Sequence, residues 1–152
     1  MVNVSDLEFG YGKYPVLRNL NLTLQCGNVY CLLGKNGVGK TTLLKLLSGL
    51  LKPTGGSIDV DGKIPFKRTP DFLKDIYFLS EDFICDNLTP VAYAKIYSPF
   101  YPNFDMGRFM ELLKLFEVLP DVKLTRMSFG QQKKAMISFA LSTNTKILLM
   151  DE

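Results

Sequence analysis

Val29-Tyr30-Cys31-Leu32-Leu33-Gly34-Lys35-Asn36-Gly37-Val38-Gly39-Lys40-Thr41 is the stretch on which the reading of this chain turns. Its first five residues form a continuous apolar run, the pattern of a strand buried on both faces. Its last eight fit G-x-x-x-x-G-K-[ST] without a mismatch, and the apolar-rich segment Thr41 to Leu51 that follows predicts a helix. Strand, glycine loop and helix in that order make a phosphate cradle. Glycine lets the backbone wrap so that the N–H groups of Gly34, Asn36, Gly37, Val38, Gly39 and Thr42 face an anion, and the helix adds its positive end. Lys40 supplies a point charge for the outer phosphates, and the Thr41 hydroxyl a ligand for magnesium.

Working outward, the other half of a magnesium site should be an acid at the end of a second buried strand. Ile147-Leu148-Leu149-Met150 reads as that strand and Asp151 as that acid, with Glu152 next to it placed to polarise an attacking water. Upstream, Val2 to Phe9 and the strictly alternating Leu20 to Leu24 predict two half-buried strands, broken by Gly10-Tyr11-Gly12. Lys52-Pro53-Thr54-Gly55-Gly56 should stop the helix after the glycine loop, and Ser57 to Val60 and Ile76 to Leu79 are two more short strands. The pattern then turns helical, with segments Pro90 to Tyr97, Asp105 to Glu117 and Ser128 to Leu141. Phe109, Leu112, Leu113 and Phe116 make an apolar stripe for core packing. The sum is one α/β domain over 1–152: a mainly parallel sheet with flanking helices, an antiparallel β edge, and a helical subdomain at about 82–141.

The stretch Met127-Ser128-Phe129-Gly130-Gln131-Gln132-Lys133-Lys134 resembles the L-S-G-G-Q signature of ABC-type ATPases, and it lies upstream of the acidic strand end as it does in that family. From the residues alone, Ser128 is also a suitable cap for the helix that follows. The resemblance implies a P-loop NTPase-type fold and a head-to-tail dimer, homomeric or heteromeric. In it Ser128, Gly130 and Gln131 of one subunit close over the outer phosphate of ATP held by the other. It further implies that Tyr11 stacks on adenine and that Ile76 to Glu81 leads into the loop where the family places glutamine. Here Glu81 stands in that place, an oxygen ligand for a hard cation beside the catalytic Glu152 and Lys40. Phe129 replaces the first signature glycine, so its ring must face away from the nucleotide. The resemblance spans essentially all of the chain and about the first two-thirds of the family's domain, leaving out the D-loop and the switch histidine.

Composition excludes more than it assigns. The 152 residues are 47% apolar and 22% charged, and the net charge of +3 comes without a basic run, so no direct nucleic-acid partner is expected. No apolar stretch approaches the roughly 18 residues of a membrane span, the start lacks a secretory pattern, and Cys26, Cys31 and Cys85 read as free thiols in a reducing compartment. The resemblance then implies an ATP- and Mg2+-dependent subunit that powers transport through separate membrane-spanning chains. It would be cytoplasmic and peripheral to the inner face of the membrane, docking through the region Asp82 to Tyr97. Two alternatives stay open: a soluble ABC-type ATPase working on ribosomes or nucleic acid, and a truncated chain that binds ATP without turnover.

Overall fold

Gly12 and Lys13 turn the chain back on itself between two long strands. In the computed structural model, which describes residues 1–151, β1 (Val2–Tyr11) pairs antiparallel with β2 (Tyr14–Leu24), Tyr11 opposite Tyr14. Gly12 takes a positive φ of 59°, as a two-residue hairpin turn requires. β3 (Gly55–Val60) adds antiparallel on the other side of β1, giving the order β2-β1-β3. The chain divides into two compact units, residues 1–73 with Asp151, and residues 74–150.

In the first unit the inward face of β1 carries Val2, Val4, Leu7 and Phe9, all buried. Strict alternation would turn Leu7 outward, but the register shifts between Val4 and Leu7, and exposed Ser5 and Asp6 absorb the extra step. Asp6 sits at φ 47° there, its N–H donating to Asn21 Oδ1 and its carboxylate accepting from Asn21 Nδ2. Gly56 passes so close that an added Cβ would lie 2.2 Å from the Asp6 carbonyl oxygen, which explains a glycine opposite the bulge.

Helix α1 (Lys40–Leu47) buries Thr42, Leu43, Leu44, Leu46 and Leu47. It ends earlier than the Leu51 read from the sequence. Gly49 adopts φ 75°, its N–H donates to Leu46 O, and the Leu50 N–H donates to Lys45 O, which closes the last turn before Lys52 and Pro53 are reached. A short helix, α2 (Pro70–Leu73), buries Phe72 at the end of this unit.

The apolar run before the glycine loop departs from expectation. Val29 to Leu33 belongs to neither sheet, Val29 is 100% and Leu33 88% exposed, and no buried strand forms there. A continuous apolar run becomes a buried strand only where sheet neighbours and covering side chains reach it, and among the described residues none pairs with it.

The second unit is built on a parallel pair, β4 (Ile76–Leu79) and β5 (Ile147–Met150), with Ile76 opposite Ile147. Its helices are α3 (Pro90–Tyr97), α4 (Met106–Leu115) and α5 (Phe129–Ser142), within a residue or two of the sequence reading. Side-chain caps set all three starts: Thr89, Asp105 and Ser128 accept from the N–H groups of Ala92, Arg108 and Gln131. Phe109 and Leu113 of the predicted stripe are buried, and the Phe139 ring meets those of Tyr77, Tyr93, Tyr101, Phe104 and Phe109 at 5.0 to 6.2 Å. Edge-on and tilted arrangements of this kind add to the gain from burial, so Phe139 organises the unit. A parallel pair, an antiparallel sheet and flanking helices make the α/β class expected.

Candidate functional site

The glycine loop owes its shape to three backbone positions. Gly37 at φ 80° and Gly39 at φ 105° turn the chain in directions that side chains resist. Over Gly34 lies the Val38 side chain, 2.9 Å from where a Cβ would stand. Gly39 begins α1 without a side-chain cap, so the first-turn N–H groups are not claimed by any capping side chain. They point toward the loop, where an anion suits them. Lys40 folds back across the loop and donates from Nζ to the Gly34 carbonyl at 2.9 Å and to that of Lys35 at 3.4 Å.

The β1–β2 hairpin fixes the flank of this loop. Val16 and Leu17 of β2 stand against Gly39, within 2.9 and 3.1 Å of a Cβ placed there. Tyr11, at the hairpin end, packs edge-on against Phe9 at 5.0 Å and brings its hydroxyl within 3.5 Å of Thr42 Oγ1. Its side chain is half exposed beside the start of α1.

Thr41 and Asp151, far apart in the sequence, lie side by side. Thr41 Oγ1 donates to Asp151 Oδ1 at 3.1 Å. Asp151 is only 5% exposed, and its Oδ2 has no hydrogen-bond partner among the described residues. A buried carboxylate oxygen without a donor is costly, and a hard cation bound beside a hydroxyl would satisfy it. No cluster of three or more Asp, Glu, His or Cys suited to a metal occurs among the described residues. A magnesium ion here would complete its shell with phosphate oxygens and water, the usual habit of that ion.

Tyr11, the loop 34–39, Lys40, Thr41, Thr42 and Asp151 thus belong to the first unit. Glu81, Ser128, Gly130 and Gln131 belong to the second. Glu81 is exposed in the loop that leaves β4. Ser128 makes a reciprocal cap: its Oγ accepts from the Gln131 N–H at 3.3 Å, while Gln131 Oε1 accepts from the Ser128 N–H at 3.2 Å. Gln132 anchors the turn from the other side, donating to the carbonyls of Leu124 and Met127. The side of Gly130 where a Cβ would project is open space. Phe129 stacks on Phe83, a contact the sequence did not announce because it pairs the first residue of α5 with a loop residue far away in the chain. Glu152 lies outside the described residues.

The family model described as ABC transporter matches residues 17–152. An ABC transporter ATP-binding protein of Methanocaldococcus jannaschii is 33% identical over 165 residues, an alignment that takes in 100% of this chain and 56% of that protein. This chain therefore spans about half the length of that curated relative. Among solved structures, an ABC transporter ATP-binding protein of Pyrococcus furiosus superposes with a TM-score of 0.84 at 33% identity, covering 99% of this chain and 74% of the other. A dimeric ATP-binding cassette in a post-hydrolysis state, bound to ADP and Pi, superposes with a TM-score of 0.81 at 27% identity, covering 100% and 74%.

Proposed function

This chain belongs to the ABC transporter family of ATP-binding proteins, and from that premise we propose that it binds and hydrolyses Mg-ATP to power transport through separate membrane-spanning chains. The observation that carries the reading is the Thr41–Asp151 contact, with the second carboxylate oxygen buried and unpaired among the described residues. The N–H groups from Gly37 to Thr42 hold the phosphates, Tyr11 stacks on the adenine, and Lys40 exchanges its contacts with the Gly34 and Lys35 carbonyls for the outer phosphates. Thr41 and Asp151 hold the cation, which when bound supplies charge neutralisation at the phosphates. Glu152 orients the attacking water, and Glu81 contributes an oxygen to the cation or that water.

Ser128, Gly130 and Gln131 act on ATP held by a second copy or a paralogue, as the resemblance to a dimeric cassette supports. The open side of Gly130 and the N–H groups at the start of α5 suit an anion that arrives with the partner. No described helix is long and apolar enough to cross a membrane. In this reading separate chains form the passage, with docking through the region Asp82 to Tyr97. The site is then cytoplasmic and peripheral to the membrane.

A thermal-shift titration with Mg-ATP, run beside Lys40→Ala, tests the nucleotide reading. Saturable stabilisation, about 2.7 kcal/mol when ATP is at a hundred times its Kd, is expected for the native protein and its loss for the variant. A cooperative melt that ATP does not move refutes it. Co-purification of a membrane-spanning protein separates a transport subunit from an ATPase of the soluble type.

A further inference from the structure

Phe129 stands where the family signature has glycine, and its ring has a specific neighbour. It opens α5 directly after Ser128 and is 59% exposed, yet it lies flat on Phe83, with ring centres 5.4 Å apart and planes 16° from parallel. Phe83 belongs to the loop that leaves β4 through Glu81, and it also packs against the core around Phe139. The far end of the same loop is tied to the chain just ahead of Ser128. The Leu124 N–H donates to the Leu88 carbonyl at 2.8 Å, and the Thr125 hydroxyl to Asn87 Oδ1 at 3.0 Å. Between the two ends Asp86 accepts from the Tyr97 hydroxyl at 2.9 Å.

We propose that the Phe83–Phe129 stack is a latch joining the loop that carries Glu81 to the turn that carries Ser128, so that a displacement of either moves the other. A glycine at 129 has no side chain to reach Phe83, and the near end of the loop would then be free to shift without the turn. With the ring in place, separating the two loops exposes both aromatic faces to water, which opposes independent motion without forbidding it. Phe129 is thus a positioning residue: it keeps Ser128 in step with the loop that carries Glu81 and does not itself touch ATP. The inference rests on the roles proposed for Glu81 and Ser128, but the mechanical link can be measured apart from them.

Cys85 sits in this loop, partly buried against the core, and reports its opening. The test is alkylation of Cys85 by iodoacetamide in the full-length protein, followed by peptide mass spectrometry, in parallel with ATP turnover. Phe129→Ala and Phe83→Ala should each speed labelling roughly threefold to tenfold, the range expected for loss of one aromatic pair, and the double variant no further. F129Y should label at the native rate, and F129L, which keeps apolar bulk but not the flat ring, at an intermediate one. Turnover should lose kcat in the alanine variants with KM for ATP unchanged. Unchanged labelling in alanine variants that still melt cooperatively overturns the latch, as does a double variant whose effects simply add. Faster labelling in a protein that binds no ATP upholds the mechanical link and removes the ATPase reading instead.

Discussion

Thr41 donates a hydrogen bond of 3.1 Å to Asp151 from 110 positions away in the chain, and that contact sets the end of the glycine loop against a buried acid. The hydroxyl comes from the first turn of α1 and the carboxylate from the residue after β5. The second oxygen of Asp151 is left buried and without a hydrogen-bond partner among the described residues. A protein that keeps an unsatisfied buried oxygen pays for it in stability unless something binds there.

Asp151→Asn should separate the cation from the nucleotide. The amide keeps an oxygen for the Thr41 hydroxyl and removes the charge, so the ligand-free melting temperature holds or rises. Stabilisation by ATP in EDTA should survive, and the added increment from magnesium should vanish. Thermal-shift curves with and without magnesium measure this directly; an intact magnesium increment rules Asp151 out as a ligand.

Two glycines of the proposed site should respond in opposite ways. At Gly39 an alanine meets Val16 and Leu17 at 2.9 and 3.1 Å in a backbone with φ 105°, so Gly39→Ala should cost about 1–3 kcal/mol and abolish ATP binding. Gly130→Ala places its methyl in open space, and its stability should stay within about 0.5 kcal/mol of native. Urea unfolding of both variants decides the contrast, and a loss of turnover in Gly130→Ala at native stability would place that residue against the nucleotide.

Ser128→Ala removes the cap of α5 and leaves the Gln131 backbone N–H without its side-chain acceptor, a loss of about 1 kcal/mol visible in chemical unfolding. Ser128→Thr should recover most of it. Ser128→Glu adds bulk and charge at the turn, so ATP binding should persist while ATP-driven association, followed by light scattering, is lost. Association equal to native refutes the role given to Ser128 in closure.

Alkaline pH should destabilise the second unit through its tyrosines. Burial pushes the Tyr93 hydroxyl from 10.0 up to about 12, and burial raises Tyr77 and Tyr101 as well. A raised folded value means that the neutral form is favoured by folding. The Tyr93 contribution is therefore complete below pH 10 and lost as pH climbs toward 12. Tyr93→Phe should flatten the decline in stability across that window, measured by urea midpoints at stepped pH.

Much of the site is local, and local things are legible. The glycine loop is a motif of spacing, so Gly34 to Thr41 could be read directly, and Ser128 as a suitable cap announced the start of α5. The helices were legible because Thr89, Asp105 and Ser128 cap their own N–H groups. The end of α1 was misplaced because Gly49, an ordinary glycine by sequence, takes φ 75°, and Pro65 lies 2.2 Å from where its Cβ would be. Nothing in the alternation of β1 revealed the bulge at Asp6, which depends on Asn21 across the hairpin.

By itself the sequence determined where α3, α4 and α5 begin and the spacing of the glycine loop, since both follow from which residues neighbour one another along the chain. Tertiary structure alone decided that Asp151 reaches Thr41, that Phe129 turns to Phe83, and that the apolar run Val29 to Leu33 stands exposed outside both sheets. The physical reason is common to all three. Burial, stacking and strand pairing are properties of what packs beside a residue, and residues far apart in the chain supply those neighbours.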